Sequence, residues 1–347
     1  MITIGVLAYI PTARHRELLE RTLASLAVQI GAPRFQTVLV DNGNVDGDGQ
    51  SGTSKWLEAL AQRYGALYVR RENREIAAAR DLVMHGESYG EARFVGFVDS
   101  DVEVPPGWVA SMVAELDRDL DLVAVASSNR PPRGESAFEE ALGALFQVPW
   151  NYLGSPQALQ QTGGFRDVDH LSSCAVLYRR EAVFEVGGYD SRFTVVCEDL
   201  ELSRRLRQVG KLRLLGVQPV IHRQDRGEFG WWRRMYRYGW GQIEVMRKHP
   251  DTILSLKGAL VPLFFVGGYL ARKAAGGDEG PFFLALSLYL LLSVGGVFVC
   301  NRSRSLAALL RASVLTIGTH VAYVLGMLAG VTEFGRNPPS ATPPSDA

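Results

Sequence analysis

The sequence predicts an α/β fold: a Rossmann-like, mixed but mostly parallel sheet with helices on both faces, followed by an interfacial helix and C-terminal transmembrane helices. Three observations predict it. Over about the first 225 residues, short β-rich apolar runs alternate with amphipathic helical stretches, the pattern of strands joined by crossover helices. Two of those runs end on an aspartate, Asp41 and Asp99, and parallel sheets bind ligands at the carboxyl ends of their strands. Charge then nearly vanishes: of 37 basic and 37 acidic residues, 251–347 hold only 7 and 5.

The elements follow in order. ITIGVLA (2–8) and TVLVD (37–41) read as buried strands, as do ALYV (66–69), FVGFVD (94–99) and LVAVAS (122–127). Between them, 17–28 sets Leu18, Leu19, Thr22, Leu23 and Leu26 on one helical stripe. Residues 54–64 form a helix with Ser54 as its N-cap, and 76–85 form another. The proline-rich stretch 129–164 reads as loops around a short helix over 137–147. CAVLY (174–178) is a strand, a helix begins near Arg180, GGYD (187–190) is a turn, 198–209 is a helix, and PVIH (219–222) is a last strand.

Residues 231–250 interleave Trp231, Trp232, Tyr236, Tyr238 and Trp240 with Arg233, Arg234 and Arg237, a composition suited to a membrane headgroup zone. Within 223–248 the seven basic and three acidic residues leave a local charge of +4. Uncharged runs of 21 residues start at Pro281 and Ala312, each long enough to span; a shorter run covers 258–271. Three spans put the Arg302, Arg304 and Arg311 loop on the cytoplasmic side, as positive-inside topology prefers, with Lys257 and Arg272 snorkelling. The expected organisation is an α/β domain over 1–226, a basic aromatic interfacial segment over 227–251, a membrane region of two to three helices over 252–335, and a disordered tail over 336–347. The N-terminus has no basic region before its apolar run, so no signal peptide is read. The α/β domain is expected in the cytoplasm, on a multi-pass protein of the cytoplasmic membrane.

Composition excludes some classes. The formal net charge is zero and the mean hydropathy +0.01, which gives no electrostatic case for a nucleic-acid partner. Three scattered cysteines, Cys174, Cys197 and Cys300, make neither a disulfide framework nor a CxxC metal site.

Three constellations carry chemistry. FVDSDVEVPPGW places Asp99 and Asp101 one residue apart at a strand end, where two carboxylates can share a divalent cation such as Mg2+ or Mn2+; alternatively, an aspartate there caps the helix starting near Gly107. CEDLELSRRL puts Glu198 and Asp199 at a helix N-terminus. The helix dipole favours their anionic form there, which suits either a general base or simple capping. VLVDNGNVDGDG follows a strand with a Gly/Asp-rich loop, a geometry that fits a nucleotide contact or a plain βα turn.

As a set these features resemble the family 2 glycosyltransferases of the GT-A fold. The match runs over roughly 1–222: Ala8-Tyr9, VDNG at 40–43, NREIAAARD at 73–81, DSD at 99–101, GGYD at 187–190 and the EDLELSRRL helix start. The resemblance implies an inverting transfer of a sugar from a UDP- or GDP-linked donor, in cell-envelope polysaccharide synthesis. By that resemblance Asp41 contacts the nucleotide base, and Ala8, Tyr9, Asn42, Arg80 and Ser100 line the donor with Asp99. Asp101 is the principal ligand of a divalent cation, with Asp99 and His222 completing the metal site. Asp199 is the base that takes the acceptor's proton, with Glu198 beside it. The acceptor is expected to be lipid-linked or a membrane-proximal glycan.

Two departures bear on the donor contacts: Asp81 stands where the family usually has Asn, and Arg74 where a small residue is usual. The Gln-x-x-Arg-Trp motif of processive synthases is absent, which disfavours a polymerase. The stretch from Arg233 to Pro250 looks like a continuation found in mycofactocin-type glycosyltransferases. Two other readings compete. A nucleotidyltransferase would carry a glycine-rich loop after the first strand, where this chain has AYIPTARHRE; an inactive membrane scaffold would not need both acidic pairs.

Overall fold

The computed structural model describes residues 1–44, 52–72, 75–86, 92–148, 164–193, 196–224, 227–250 and 267–332. The chain divides into two compact units: Met1–Arg130 with Thr162–Arg223, and Pro131–Gln161 with Gln224–Ala347.

The first unit is built on one sheet of nine strands among the described residues: β1 (Ile2–Ala8), β2 (Phe35–Asn42), β3 (Leu67–Arg71), β4 (Phe94–Val98), β5 (Val102–Glu103), β6 (Leu122–Arg130), β7 (Phe165–Asp167), β8 (Ala175–Arg179) and β9 (Lys211–His222). Their order is β3-β2-β1-β4-β8-β6-β9-β5, with β7 beside β9. β3, β2, β1 and β4 are mutually parallel. β8 runs antiparallel between β4 and β6, and β6 and β9 are again parallel. The sheet is therefore mixed. β4 and β8 are buried throughout, as central strands covered on both faces must be. Gly96 of β4 permits the inserted strand, because a Cβ there would sit 2.5 Å from the Val176 carbonyl oxygen.

The helices of this unit are α1 (Ala13–Ala27), α2 (Thr53–Arg63), α3 (Ile76–His85), α4 (Trp108–Arg118), α6 (Arg180–Glu185) and α7 (Glu198–Leu206); α5 (Ala137–Phe146) belongs to the second unit. The buried face of α1 is Leu18, Leu19, Thr22, Leu23 and Leu26, the stripe read from the periodicity. Leu19, Leu23 and Leu26 join Ile4, Val6, Leu39, Leu57, Trp108 and Leu116 in the main core. Ser54 is not the cap of α2. Gly52, at φ 91°, holds that position, and Ser54 turns inward to Asp41. Neither Asp99 nor Asp101 caps α4, whose N-cap is Gly107. β9 is longer than the expected strand over 219–222. Its pairing with β6 jumps from Leu215 to Val220, so Gly216 and Pro219 interrupt the apolar pattern at an irregularity inside one strand. β5 and β7, of two and three residues, are too short to show any period.

In the second unit α5 is capped by Ser136, which accepts from the Glu139 amide. It packs with α8 (Gly227–Lys248), α9 (Gly280–Cys300) and α10 (Leu306–Thr332) through Phe138, Leu142, Leu145, Trp231, Met235, Val297, Leu309 and Leu315. The α9–α10 turn is fixed by Asn301 Nδ2 donating to the Ala144 carbonyl at 3.0 Å and by ion pairs of Arg304 with Glu140 and Arg311 with Glu228. α9 and α10, of 21 and 27 residues, are each long and apolar enough to cross a membrane. Of the expected short run over 258–271, residues 258–266 lie outside the described residues, and 267–274 are helical. The expected disordered tail also lies outside them.

Candidate active site

The parallel pairing of β1 with both β2 and β4 brings the carboxyl ends of three strands to one sheet edge, and with them Ala8, Asp41, Asn42 and Asp99. The DSD triplet sits in a tight turn: the Asp99 amide donates to the Cys174 carbonyl at 2.9 Å, and the Val102 amide donates back to the Asp99 carbonyl at 3.1 Å. The turn leads into β5, which pairs antiparallel with the end of β9, Val102 opposite His222. The Arg223 amide bonds the Asp101 carbonyl at 2.9 Å, and the Arg223 side chain pairs with Glu103.

This two-residue strand sets the geometry of the site. It brings His222 Nε2 to 3.3 Å from Asp101 Oδ1, and ligand atoms of Asp99, Asp101 and His222 all lie within 4.8 Å of one another. Two carboxylate oxygens and one imidazole nitrogen converging at that range suit a divalent cation of the Mg2+ or Mn2+ type. His222 is fully buried. Burial lowers its pKa, but the Asp101 carboxylate and the nearby Cys174 thiol outweigh burial and lift it to about 10. Ser100, between the two aspartates, is half-buried.

Arg80 links this cluster to the acidic helix start. Its Nη1 hydrogen-bonds Glu198 Oε1, and its Nη2 lies 3.5 Å from Asp99 Oδ1. The guanidinium packs on the rings of Phe97 at 5.5 Å and Tyr189 at 5.7 Å. Arg80 and Glu198 are both buried, whereas Asp199 is half-buried. The Asp199 carboxylate accepts from the Ser173 amide at 3.1 Å and from the Leu200 amide at 2.7 Å. Burial raises the pKa of both Glu198 and Asp199, and Arg80 pulls each back down. Cys197, which caps this helix, is the one non-glycine residue with positive φ among the described residues, at 66°. Such backbone strain concentrates at functional sites.

Asp41 is placed differently from the other carboxylates. It is fully buried, and its oxygens accept from Asn44 Nδ2 at 2.6 Å, the Asn44 amide at 3.3 Å, Ser54 Oγ at 2.6 Å and Tyr68 Oη at 2.8 Å. Four internal donors fill the capacity of one carboxylate. Burial and the adjacent Asp41 push the Tyr68 phenol up to about 12. Asn44 also bonds the Ala8 carbonyl and the Ile10 amide, fastening the chain on either side of the half-buried Tyr9. The neighbouring Asn42 Oδ1 is buried without a hydrogen-bond partner.

The sequence reading did not single out Asn44, Tyr68, Ser173 or Tyr189. Ser173 also approaches the hydroxyls of Tyr178 and Tyr189, each at 3.4 Å. The GGYD turn is its signal: Gly187 and Gly188 adopt φ of 86° and 73°, which only glycine does without strain. That turn aims the Tyr189 amide at Asp81 Oδ1, at 3.0 Å. Asp81, the departure noted in the sequence, therefore anchors this turn.

A mixed α/β sheet with an acidic cluster that could hold a divalent cation and a second acidic pair at a helix start is compatible with a group-transfer enzyme. The model of glycosyl transferase family 2 matches residues 8–187, and the chain belongs to that family. It is 27% identical over 282 residues to the N-acetylglucosaminyl-diphospho-decaprenol L-rhamnosyltransferase of Mycobacterium tuberculosis, a match covering 69% of this chain and 90% of that protein. It is 27% identical over 281 residues to the pre-mycofactocin glycosyltransferase of the same species, covering 78% of this chain and 54% of that one. Among solved structures, a mannosyltransferase from Pyrobaculum calidifontis in complex with GDP-Man and Mn2+ superposes with a TM-score of 0.56 at 18% identity, over 91% of this chain and 86% of that one, a likeness of fold.

Proposed function

We propose that the protein is an inverting, metal-assisted glycosyltransferase that moves a sugar from a UDP- or GDP-linked donor to a hydroxyl of a lipid-linked or membrane-proximal acceptor, in cell-envelope polysaccharide synthesis. Asp199 carries the proposal: it is a half-buried carboxylate held by two backbone amides, next to Glu198, which Arg80 joins to Asp99 of the acidic cluster. A general base needs an orienting shell, and the Ser173 and Leu200 amides supply one to Asp199. Burial raises its pKa towards that of the acceptor hydroxyl, and the nearby Arg80 charge opposes that rise.

Glu198, buried and bound to Arg80, orients the site rather than taking the proton. Asp99, Asp101 and His222 would hold the cation. When bound, it would offset the negative charge of the departing diphosphate. Asn42, at the end of β2, offers its Oδ1 to an N–H of the base, while Asp41 fixes Asn44 just beyond it. The relatives support this donor and acceptor class: one is named for transfer to a diphospho-decaprenol, and a solved structure of the same fold holds GDP-Man with Mn2+.

The test is a panel of nucleotide sugars offered to membranes containing the full chain, with nucleoside diphosphate release as readout. Release from one donor that requires Mg2+ or Mn2+ and disappears in Asp199→Asn is expected. Full activity in Asp199→Asn and Asp101→Ala would overturn the assignment.

A further inference from the structure

The second unit is built inside out for water. Along α10 the exposed large apolar residues are Leu306, Leu310, Val314, Ile317, Val321, Leu325, Leu328 and Val331, a stripe at three- and four-residue spacing over a helix about 40 Å long, interrupted near its start by the exposed Arg311. Its buried face mixes Leu309, Ala312, Leu315 and Met327 with Ser313, Thr316, Thr319, Gly326 and Gly330. α9 repeats the pattern: Ser293, Gly296 and Val297 are inside, while Phe283, Leu284, Leu288, Leu291, Leu292 and Val299 are outside. An outer face more apolar than the inner one fits hydrocarbon rather than water, and it continues across two adjacent helices.

How deep these faces can sit is decided by α8. It runs beside α10 along its whole length. Glu228 pairs with Arg311 near one end, Trp231 Nε1 donates to Thr319 Oγ1 at 2.8 Å, and Arg247 Nη2 donates to the Gly330 carbonyl at 2.7 Å near the other. Between them the backbones touch: a Cβ on Gly239 would lie 2.0 Å from the Tyr323 carbonyl oxygen, and one on Gly326 would lie 1.9 Å from that of Tyr236. α9 folds back along the same helix, with Val297 in one core with Leu309 and Ala312, and Tyr289 hydrogen-bonded to His320. The three helices therefore share one depth.

α8 carries Glu228, Arg233, Arg234, Arg237, Glu244, Arg247 and Lys248, seven ionisable side chains in 22 residues. Such a helix does not cross hydrocarbon, and neither, at the same depth, do its neighbours. Building on the membrane seating read above, we propose that α8, α9 and α10 lie in the plane of a bilayer surface rather than spanning it. The stripes of α9 and α10 sink into the acyl boundary, and α8 rides at headgroup level, the arrangement of an interfacial anchor.

The full chain, with Cys300→Ala as background, is given single exposed cysteines at Ser303→Cys and Thr332→Cys, on either end of α10, and at Leu120→Cys as a marker of the α/β unit. A membrane-impermeant maleimide is applied to right-side-out and inside-out vesicles from expressing cells. Labelling of all three positions in the same vesicle orientation is expected. Thr332→Cys labelled from the face opposite Ser303→Cys would overturn the in-plane arrangement and leave the transferase reading intact. Recovery of the chain in the soluble fraction would overturn the membrane seating as well, again without touching sugar transfer, which the donor panel measures separately.

Discussion

Replacing Arg80 by methionine removes the one cation that joins Glu198 to Asp99 while keeping most of the side-chain volume between Phe97 and Tyr189. Arg80 and Glu198 are 7% and 8% exposed at the side chain, so water cannot replace the lost partner. Breaking a buried pair from one side costs about 3–5 kcal/mol, because the remaining charge is stranded. The cost has a sign in pH. Burial already raises Glu198, and Arg80 is the largest opposing influence; without Arg80 the carboxyl pKa rises further, so falling pH relieves the stranded charge sooner. The deficit of Arg80→Met should therefore be largest near neutrality and shrink as the pH falls. Urea unfolding of the purified chain, followed by tryptophan fluorescence at several pH values, measures it. Adding Glu198→Gln should recover much of the loss, with a coupling of about 2 kcal/mol or more in a double-mutant cycle. A loss below about 1 kcal/mol, or additive single variants, would refute the reasoning.

Other outcomes follow from the same geometry. Asp199→Asn should lower kcat by roughly 10²–10⁴-fold, the usual worth of a positioned base, with donor KM little changed in steady-state assays. Because the folded environment raises the Asp199 pKa, the acid limb of kcat against pH in the parent enzyme should lie above the ordinary aspartate range. In Arg80→Lys, whose charge remains but whose fork is lost, that limb should move to higher pH. His222→Ala should weaken Mn2+ binding, read by calorimetry, by more than the roughly 10–100-fold typical of losing an outer-shell partner. Gly96→Ala should destabilise the first unit by about 1–3 kcal/mol, the scale of overpacking, since its Cβ meets a backbone oxygen that cannot swing away; an unchanged melting temperature would count against that close approach.

Legibility in the sequence followed physical scale. Long periodic elements announced themselves: α1 buries the five residues its stripe named, and β4 and β8 are buried as continuous apolar runs suggest. The carboxylates at strand and helix ends were also readable, because their positions are set by elements long enough to see. What escaped depends on pairing partners distant in the chain. Nothing local shows that β8 runs antiparallel, since a buried strand has no directional pattern. Nor does the pair Val102–Glu103 look like a strand, yet it carries Asp101 to His222 from 121 residues away. Ser54 looked like a cap because serine before a helix often is one; the stronger demand came from Asp41, whose buried charge needed its hydroxyl.

The two adjacent acids of α7 illustrate how a fold divides labour that composition cannot. Glu198 and Asp199 share a helix turn, a dipole and an upward push from burial. They differ in what they meet: after Cys197, held at φ 66°, Glu198 meets Arg80 and Asp199 meets the amides of Ser173 and Leu200. The guanidinium satisfies Glu198 as an ion pair. The amides, neutral donors, hold Asp199 without a direct ion pair, while the Arg80 charge nearby opposes the rise that burial gives its pKa. Arg80 then reaches Asp99 with its other nitrogen, and the link between Glu198 and the cation site becomes a property of one planar, five-donor group. Lysine, a point charge, can neutralise either acid but cannot fix both, which is why Arg80→Lys should keep more stability than Arg80→Met and still lose turnover.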